Sequence, residues 1–342
     1  MKIVSITPSL ELISLKTPFI TALRRVENIE FVRVVVRGDD GSTAIGEAPA
    51  TKAITNEDTY DIMNSVWKME KYLINQSLDE CLSILHANSE IGSSAKASLD
   101  MAIVSLQAQE RHQKLFEFLG CDEPVDLKTD ITISLKPIHE MIEDARVALQ
   151  AGMNILKIKL ASDIKHAVNA TKSIASLFPE AVLIIDANQA WSVEESLFFI
   201  EALKGVKIEL IEQPVIAKDI MGLKEITEKS NIPILADEAV FTLGDAKKII
   251  ESKSADMINI KLMKCGGITK AVEILEYARK MNVQCMLGSM LEGPYSINAA
   301  LHLALAYTDV IKYIDLDSPL LYKEVSNELD FAFEKNIISF LQ

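Results

Sequence analysis

Two patterns of apolar and polar residues occupy the first third of the chain. Apolar and polar positions alternate over residues 3–13, 31–37 and 43–47, which predicts three strands. The segment Gly38-Asp39-Asp40-Gly41 has the composition of a hairpin turn. Helical spacing then runs from about residue 57 to 119, with apolar positions at Val66, Met69, Leu73, Leu99, Ile103 and Leu106. We therefore predict an α+β domain over residues 1–122, with a boundary near Pro124.

Beyond Pro124, short apolar runs alternate with helical segments. The runs predict strands at residues 129–135, 154–160, 181–186, 208–212, 232–236, 257–262, 283–287 and 311–314. Such alternation predicts a parallel α/β sheet, and continuous apolar strands are typical of a sheet buried on both faces. Eight units in fewer than 200 residues favour a closed TIM-type barrel over residues 123–319. An open doubly wound sheet is the alternative, although no Gly-x-Gly-x-x-Gly follows a predicted strand.

Charged residues stand at the ends of five consecutive predicted strands. They are Lys159, Asp186, Glu212, Asp237 and Lys261, at intervals of 24 to 27 residues, or one strand and one helix each. The carboxyl ends of barrel strands meet at one rim, where the active sites of such barrels lie. A single Asp at a strand end is more often a helix N-cap, and a single Lys is usually solvated. Three adjacent acids flanked by two lysines instead predict one cluster.

The three acids of this cluster have the chemistry of a divalent-cation site. Buried carboxylates repel one another unless a cation lies between them, and a ligand set made only of oxygen favours Mg²⁺. We therefore predict that Asp186, Glu212 and Asp237 bind one Mg²⁺ per subunit. Lys159 and Lys261 then approach a metal-bound carboxylate from opposite sides as acid and base. The cation and a neighbouring lysine are expected to lower the pKa of these amines.

The sequence around these positions carries a set of short motifs. They are Lys157-Ile-Lys159, Asp186-Ala-Asn188, Glu212-Gln-Pro214, Asp237-Glu238 and Asn259-Ile-Lys261-Leu-Met-Lys264-Cys-Gly-Gly267. Together they resemble the enolase superfamily, in its muconate lactonizing enzyme subgroup, over nearly the whole chain. The resemblance implies a (β/α)7β barrel under the capping domain, with residues 320–342 packed on that domain. It also implies the three acids as metal ligands and the two rim lysines as the acid/base pair.

Further positions point to the substrate. Asp315-Leu-Asp317 resembles the Asp-x-Asp pair of dipeptide epimerases, which holds the free ammonium of an N-terminal residue. The segment that contains Arg24 resembles the mobile capping loop of Ala-Glu epimerases, whose arginine pairs with the substrate's side-chain carboxylate. Thr132 and Ser289 match family positions near the substrate, and Lys157, on the strand face of Lys159, is predicted to contact its carboxylate. The alternatives are a solvated turn for the two aspartates, an exposed surface position for Arg24 and a solvated rim position for Lys157.

Together with these residues, the resemblance implies reversible epimerisation at the α-carbon of the C-terminal residue of an L,L-dipeptide, above all L-Ala-L-Glu, through an enolate. The segment Gly293-Pro294-Tyr295-Ser296 departs from the family pattern and leaves the second residue of the substrate open. A lyase or cycloisomerase such as o-succinylbenzoate synthase, or another racemase of the superfamily, is the alternative. A binding protein without catalytic activity is a third reading, which the complete lysine and carboxylate set disfavours. The resemblance also suggests the recycling of cell-wall peptides as the context.

Net charge and composition restrict the classes of partner that the protein can bind. The net charge of −14 argues against binding of nucleic acid or an anionic membrane. Four cysteines without Cys-x-x-Cys spacing predict reduced thiols and a cytoplasmic location. No apolar stretch approaches the roughly 18 residues of a membrane span. A small dipeptide is thus the expected partner, while the oligomeric state stays open, a homo-oligomer included.

Overall fold

A three-stranded antiparallel sheet forms the N-terminal part of the computed structural model, which describes residues 1–21 and 24–341. Its strands are β1 (Ile3–Ile20), β2 (Arg25–Gly38) and β3 (Thr43–Pro49), in the order β1-β2-β3. The predicted hairpin turn joins β2 and β3, where Gly41 has a φ of 89°. Strands β1 and β2 are longer than predicted because pairing resumes at Phe19 after an irregularity that begins at Ser14. Two residues of the predicted capping loop, 22 and 23, lie outside the described residues.

Helices follow this sheet in the chain, as the sequence predicts, and pack against it. They are α1 (Lys52–Thr55), α2 (Thr59–Leu73), α3 (Leu78–Ala87), α4 (Ser93–Glu110) and α5 (Leu115–Phe118). Asp58 and Asp61 form a capping box at the start of α2. Helix α4 lies directly on β3, because a side chain at Gly46 would meet the backbone of Ser98. This close approach buries the apolar face of α4 against the sheet.

Eight parallel strands form the second sheet, in sequential order. After the short β4 (Leu127–Lys128) come β5 (Ile131–Ile133), α6 (Ile138–Gln150), β6 (Ile155–Lys159), α7 (Ile164–Leu177), β7 (Val182–Asp186), α8 (Val193–Ala202), β8 (Ile208–Glu212), α9 (Ile220–Lys229), β9 (Ile234–Ala236), α10 (Leu243–Ser252), β10 (Met257–Ile260), α11 (Leu262–Cys265), α12 (Ile268–Lys280), β11 (Cys285–Gly288), α13 (Pro294–Ala306) and β12 (Ile311–Asp315). The first and last strands meet at a parallel bridge between Thr129 and Ile314. The predicted (β/α)7β barrel is therefore confirmed, and the open doubly wound sheet is wrong.

The C-terminal segment continues through α14 (Ser318–Leu321), β13 (Phe331–Glu334) and β14 (Ile337–Phe340). Strand β14 pairs with β4, and the Phe340 ring lies edge-on to Phe116 with 5.0 Å between the centroids. The segment therefore contacts α5 of the N-terminal part. The domain boundary at residue 122 stays a prediction. Among the described residues, no helix combines the length and apolar content that crossing a membrane requires.

Candidate active site

The five charged residues that the spacing singled out lie along one rim of the barrel. Lys159, Asp186 and Glu212 are the last residues of β6, β7 and β8, and they are paired in register. Asp237 and Lys261 directly follow β9 and β10. Regular spacing thus converts five distant positions into one row, because each strand-helix unit advances the chain by one place around the barrel.

Lys157 lies beneath this row and is completely buried. Its Nζ atom is 2.5 Å from Glu212 Oε2, 2.6 Å from Asp315 Oδ2 and 3.3 Å from Asp186 Oδ2. The contact with Glu212 is an ion pair whose angles do not make a hydrogen bond. A solvated rim position for Lys157 is therefore wrong. Its ammonium joins two of the predicted metal ligands to the predicted ammonium-binding pair.

The two lysines of the predicted acid/base pair stand on strands β6 and β10 and line the same cleft. Lys159 Nζ lies 2.5 Å from Asp186 Oδ2, and Lys261 Nζ lies 2.7 Å from Asp237 Oδ2. Each side chain is less than a tenth exposed. Since β7, β8 and β9 separate their strands, the two amines enter the cleft from different sides of the rim.

Burial and the neighbouring charges shift the pKa values of Asp186 and Glu212 in opposite directions. Burial opposes ionisation of Asp186, yet Lys159 and Lys157 lower the pKa of Asp186 to about 2. Burial, reinforced by Asp186, raises the pKa of Glu212 to about 7. Two neighbouring carboxylates of the row therefore differ, because the pKa of Asp186 is lowered whereas the pKa of Glu212 is raised.

The lowering of the lysine pKa values by a bound cation stays a prediction. Among the protein's own groups, burial lowers the pKa of Lys261, but Asp237 and Glu212 outweigh burial and raise it above its usual value. The pKa of Lys157 is likewise raised, by Asp315 and Glu212 against burial. The neighbouring carboxylates outweigh the desolvation of each amine, so both lysines are ammonium ions in this arrangement.

Lys264 is a further buried cation of this rim, and its place in the sequence motif did not indicate its role. The short helix α11 turns its ammonium back onto β9 and β10. Nζ donates to Asp237 Oδ1 at 2.5 Å, to the Asp237 carbonyl at 2.5 Å and to the Asn259 carbonyl at 2.9 Å. The signal available in the sequence is the Lys261-x-x-Lys264 spacing, which one helical turn converts into a shared contact with one aspartate.

Oxygen atoms without a hydrogen-bond donor gather beside the same acids. Buried Asn188 Oδ1, Asn259 Oδ1 and Glu238 Oε2 have no hydrogen-bond partner among the described residues. Burial, with Asp237 close by, raises the pKa of Glu238 to about 8. Unpartnered carboxylate and amide oxygens are the donor set that Mg²⁺ prefers. The residues present therefore fit a hard divalent cation.

A cleft opens above the rim. Its walls contain both catalytic candidates and most of the predicted substrate contacts, which are Arg24, Thr132, Ser289, Asp315 and Asp317. Burial lowers the pKa of the Arg24 guanidinium, and across residues 1–21 and 24–341 no carboxylate forms an ion pair with it. An unpaired and partly desolvated cation in a cleft is suited to an anionic ligand group.

Asp315 and Asp317 are buried, so the solvated-turn alternative is wrong. Asp317 Oδ2 accepts a hydrogen bond from the Thr132 backbone N–H at 2.7 Å. Burial, then Asp315, raises the pKa of Asp317 to about 6. A third acid, Asp130, joins them, and carboxylate oxygens of all three lie within 4.8 Å of one another. The sequence reasoning missed Asp130 because it lies at the start of the first predicted barrel strand, whereas Asp315 ends the last strand and Asp317 follows it.

The segment that departs from the family pattern begins α13. Gly293 caps the helix and Pro294 is its first residue. A side chain at Gly293 would lie 2.5 Å from Glu47 Oε2, so it would displace the buried Glu47 carboxylate. Glu47 in turn accepts hydrogen bonds from the Tyr295 and Ser296 backbone N–H groups. The unusual segment therefore connects the N-terminal sheet to the barrel.

Comparisons with known proteins show the family of this chain. A protein family described as "Enolase C-terminal domain-like" matches residues 140–339. An L-amino acid-D/L-Glu epimerase from Sulfurimonas denitrificans is 59% identical over 98% of both chains.

Solved structures of dipeptide epimerases share the fold. The substrate-liganded L-Ala-D/L-Glu epimerase from Bacillus subtilis has a TM-score of 0.95 at 37% identity, over 99% of this chain and 96% of that one. A dipeptide epimerase from Enterococcus faecalis, in complex with Mg and L-Leu-L-Tyr, has a TM-score of 0.93 at 30% identity, over 99% and 97%.

Proposed function

This chain belongs to the dipeptide epimerases of the enolase superfamily, which are isomerases, and from that premise we propose that it inverts the α-carbon of the C-terminal residue in L,L-dipeptides, with L-Ala-L-Glu as the leading substrate. The observation that supports the proposal is that Lys159 and Lys261, from strands separated by three others, line one cleft that also contains Asp315 and Asp317. Two amines on opposite sides of a carbon can exchange its proton with inversion, and two carboxylates beside them can hold an ammonium.

The two lysines carry out the two steps of the proton transfer, removal and delivery. One amine, in its neutral form, removes the α-proton from one face of the substrate. The other, as an ammonium ion, delivers a proton to the opposite face, so that the substrate keeps its composition and changes only its configuration. The reverse reaction exchanges the two roles. Asp186 beside Lys159 and Asp237 beside Lys261 hold the amines in position.

Asp186, Glu212 and Asp237 would hold one Mg²⁺ per subunit. When bound, the ion supplies positive charge that offsets the negative charge developing on the substrate carboxylate. The unpartnered oxygens of Asn188 and Glu238 beside these acids support this assignment.

The remaining predicted contacts orient the two ends of the substrate. Asp315 and Asp317 receive the N-terminal ammonium, and Arg24 receives a side-chain carboxylate on the second residue. Thr132 and Ser289 border the substrate backbone. Support comes from the unpaired state of Arg24 and the burial of the aspartates in the same cleft. An acidic second residue fits this charge distribution better than a basic one.

Proton NMR in heavy water tests the activity. Wild-type protein with Mg²⁺ and L-Ala-L-Glu is expected to erase the α-proton signal of Glu and to produce the second diastereomer. Removal of metal by a chelator is expected to stop both changes, and added Mg²⁺ to restore them. Lys172→Ala, at an exposed position on α7, is a matched control for lysine substitution. An unchanged spectrum across a dipeptide library would refute the proposal.

A lyase or cycloisomerase of the same superfamily would use the same lysines. Its substrates have no ammonium for Asp315 and Asp317, so the two activities differ in what these aspartates do. The NMR experiment separates them, since an eliminated or cyclised product has a different carbon skeleton from the epimer.

A further inference from the structure

Asp130 occupies the seam where the barrel closes. It directly precedes β5, and in an extended chain it shares a face with Thr132, which lines the cleft. Its backbone N–H donates to the Ile314 carbonyl at 3.3 Å, and the Leu316 N–H donates to Thr129 Oγ1 at 3.1 Å. These contacts fix the first strand beside the last one. The Asp130 side chain is thereby placed against the two acids at the end of β12 and just beyond it.

The Asp130 carboxyl group has no donor of its own. Only 1% of the residue is exposed, and neither carboxyl oxygen has a hydrogen-bond partner among residues 1–21 and 24–341. Its two acidic neighbours do have partners, because Lys157 contacts Asp315 Oδ2 and the Thr132 N–H donates to Asp317 Oδ2. Leaving a buried carboxylate unpaired beside two others is costly. A proton on one of them removes the conflict.

We propose that Asp130 is a positioning residue of the ammonium site, which holds a proton at neutral pH and donates it in a hydrogen bond to Asp315. Asp315 and Asp317 then remain as the charged pair that receives the substrate's ammonium. This inference deepens the proposed function and rests on it.

The charged groups around Asp130 agree with this assignment. Asp315 and Asp317 face it from β12 and the residues that follow, and Lys157 faces it from β6. Burial, then Asp315, raises the pKa of Asp130 well above its usual value, against the opposing effect of Lys157. Lys157 is already shared with Asp186 and Glu212, so it cannot compensate three ionised acids at the seam. With Asp130 neutral, a single incoming ammonium faces two carboxylates.

Two substitutions distinguish a requirement for the proton of Asp130 from a requirement for a negative charge at that position. Asp130→Asn keeps the size and supplies an N–H donor, whereas Asp130→Ala removes the donor. The substrates are L-Ala-L-Glu and propanoyl-L-Glu, which lacks only the ammonium. Asp130→Ala is expected to reduce the preference for L-Ala-L-Glu about tenfold or more, chiefly through KM, because a hydrogen bond to a charged group is lost. Asp130→Asn is expected to recover most of that preference.

A spectroscopic measurement tests the proton without any turnover. Infrared spectra of wild-type protein at neutral pH are expected to contain a carboxylic acid C=O band that Asp130→Asn removes. If wild-type protein exchanges no dipeptide proton but shows this band, the proposed function fails while the protonation of Asp130 stands.

Three results would overturn the inference. One is a spectrum in which Asp130→Asn removes no acid band. Another is an Asp130→Asn variant as impaired as Asp130→Ala, which would mean that the site needs the negative charge. The third is a second Mg²⁺ per chain, bound by wild-type protein and lost in Asp130→Asn, which would make the three acids a metal site.

Discussion

Glu47 offers a quantitative test of how the N-terminal sheet is joined to the barrel. This acid lies on β3, is completely buried and accepts hydrogen bonds from Arg33 Nε at 2.9 Å and the Tyr295 N–H at 2.9 Å. The Ser296 N–H adds a third at 3.3 Å. Helix α13, which begins at these amides, follows directly after the segment that contains Ser289 and borders the cleft. Perturbing Glu47 therefore tests both stability and the position of the cleft wall.

Burial raises the pKa of Glu47 from 4.5 to about 7, although Arg33 acts in the opposite direction. A shift of this size corresponds to about 3 kcal/mol. Because the folded protein binds this proton more tightly than the unfolded chain, the stability that the proton contributes is complete below pH 4.5. It is lost as the pH rises to about 7. Glu47→Gln cannot titrate, so it should lack this part of the pH dependence.

Urea denaturation of wild type, Glu47→Gln and Glu47→Ala at about pH 5 and about pH 8 measures the effect. The free energy of unfolding of Glu47→Gln relative to wild type should rise by about 2 to 3 kcal/mol from the lower to the higher pH. Glu47→Ala should lose about 3 to 5 kcal/mol at neutral pH, since Arg33 and two helix amides lose their acceptor. Glu328→Gln, at the half-buried second partner of Arg33, should cost less than about 1 kcal/mol. An equal difference between wild type and Glu47→Gln at both pH values would refute the reasoning.

Three further predictions concern the cleft. Lys264→Met should weaken Mg²⁺ binding and lower stability by about 3 kcal/mol, because Asp237 loses a buried partner. Titration calorimetry measures the Mg²⁺ affinity, and urea denaturation measures the stability. An unchanged Mg²⁺ affinity would contradict the role of Lys264 in holding Asp237. Arg24→Met should raise KM at least about tenfold for L-Ala-L-Glu but not for L-Ala-L-Leu, in steady-state assays; equal effects on both substrates would argue against a contact with the Glu side chain. The kcat/KM for L-Ala-L-Glu should fall as the pH drops below about 6, because Asp317, whose pKa is raised to about 6, becomes protonated and loses its charge. Asp317→Asn should lack this acidic limb, and a limb that persists in that variant would assign the titration to another group.

The barrel and its rim were predictable because they depend on local periodicity. Each strand-helix unit advances the chain by one place, so regular spacing was sufficient to order Lys159, Asp186, Glu212, Asp237 and Lys261 along one rim. The predicted strand runs agree with the structure to within a few residues. The differences concentrate at strand ends, where the apolar pattern carries the least information about the boundary.

Features that depend on long-range closure were not predictable from the pattern. Asp130 meets Asp315 only because the first and last strands join, just as Thr132 meets Asp317 across 185 positions of sequence, and no spacing rule connects such pairs. The burial of Lys157 and the raised lysine pKa values likewise depend on how many carboxylates surround each amine. A sequence identifies the charged residues, but the net effect of their charges on each pKa depends on the distances between them.

The proposed mechanism depends most directly on two amines that act on opposite faces of one carbon. Deuterium uptake by Lys159→Ala and Lys261→Ala, started separately from L-Ala-L-Glu and from L-Ala-D-Glu, measures this. Each variant should lose epimerisation and retain exchange from only one diastereomer, and the two variants should retain opposite ones. Exchange from the same diastereomer in both variants would place the two lysines on one face and contradict the mechanism.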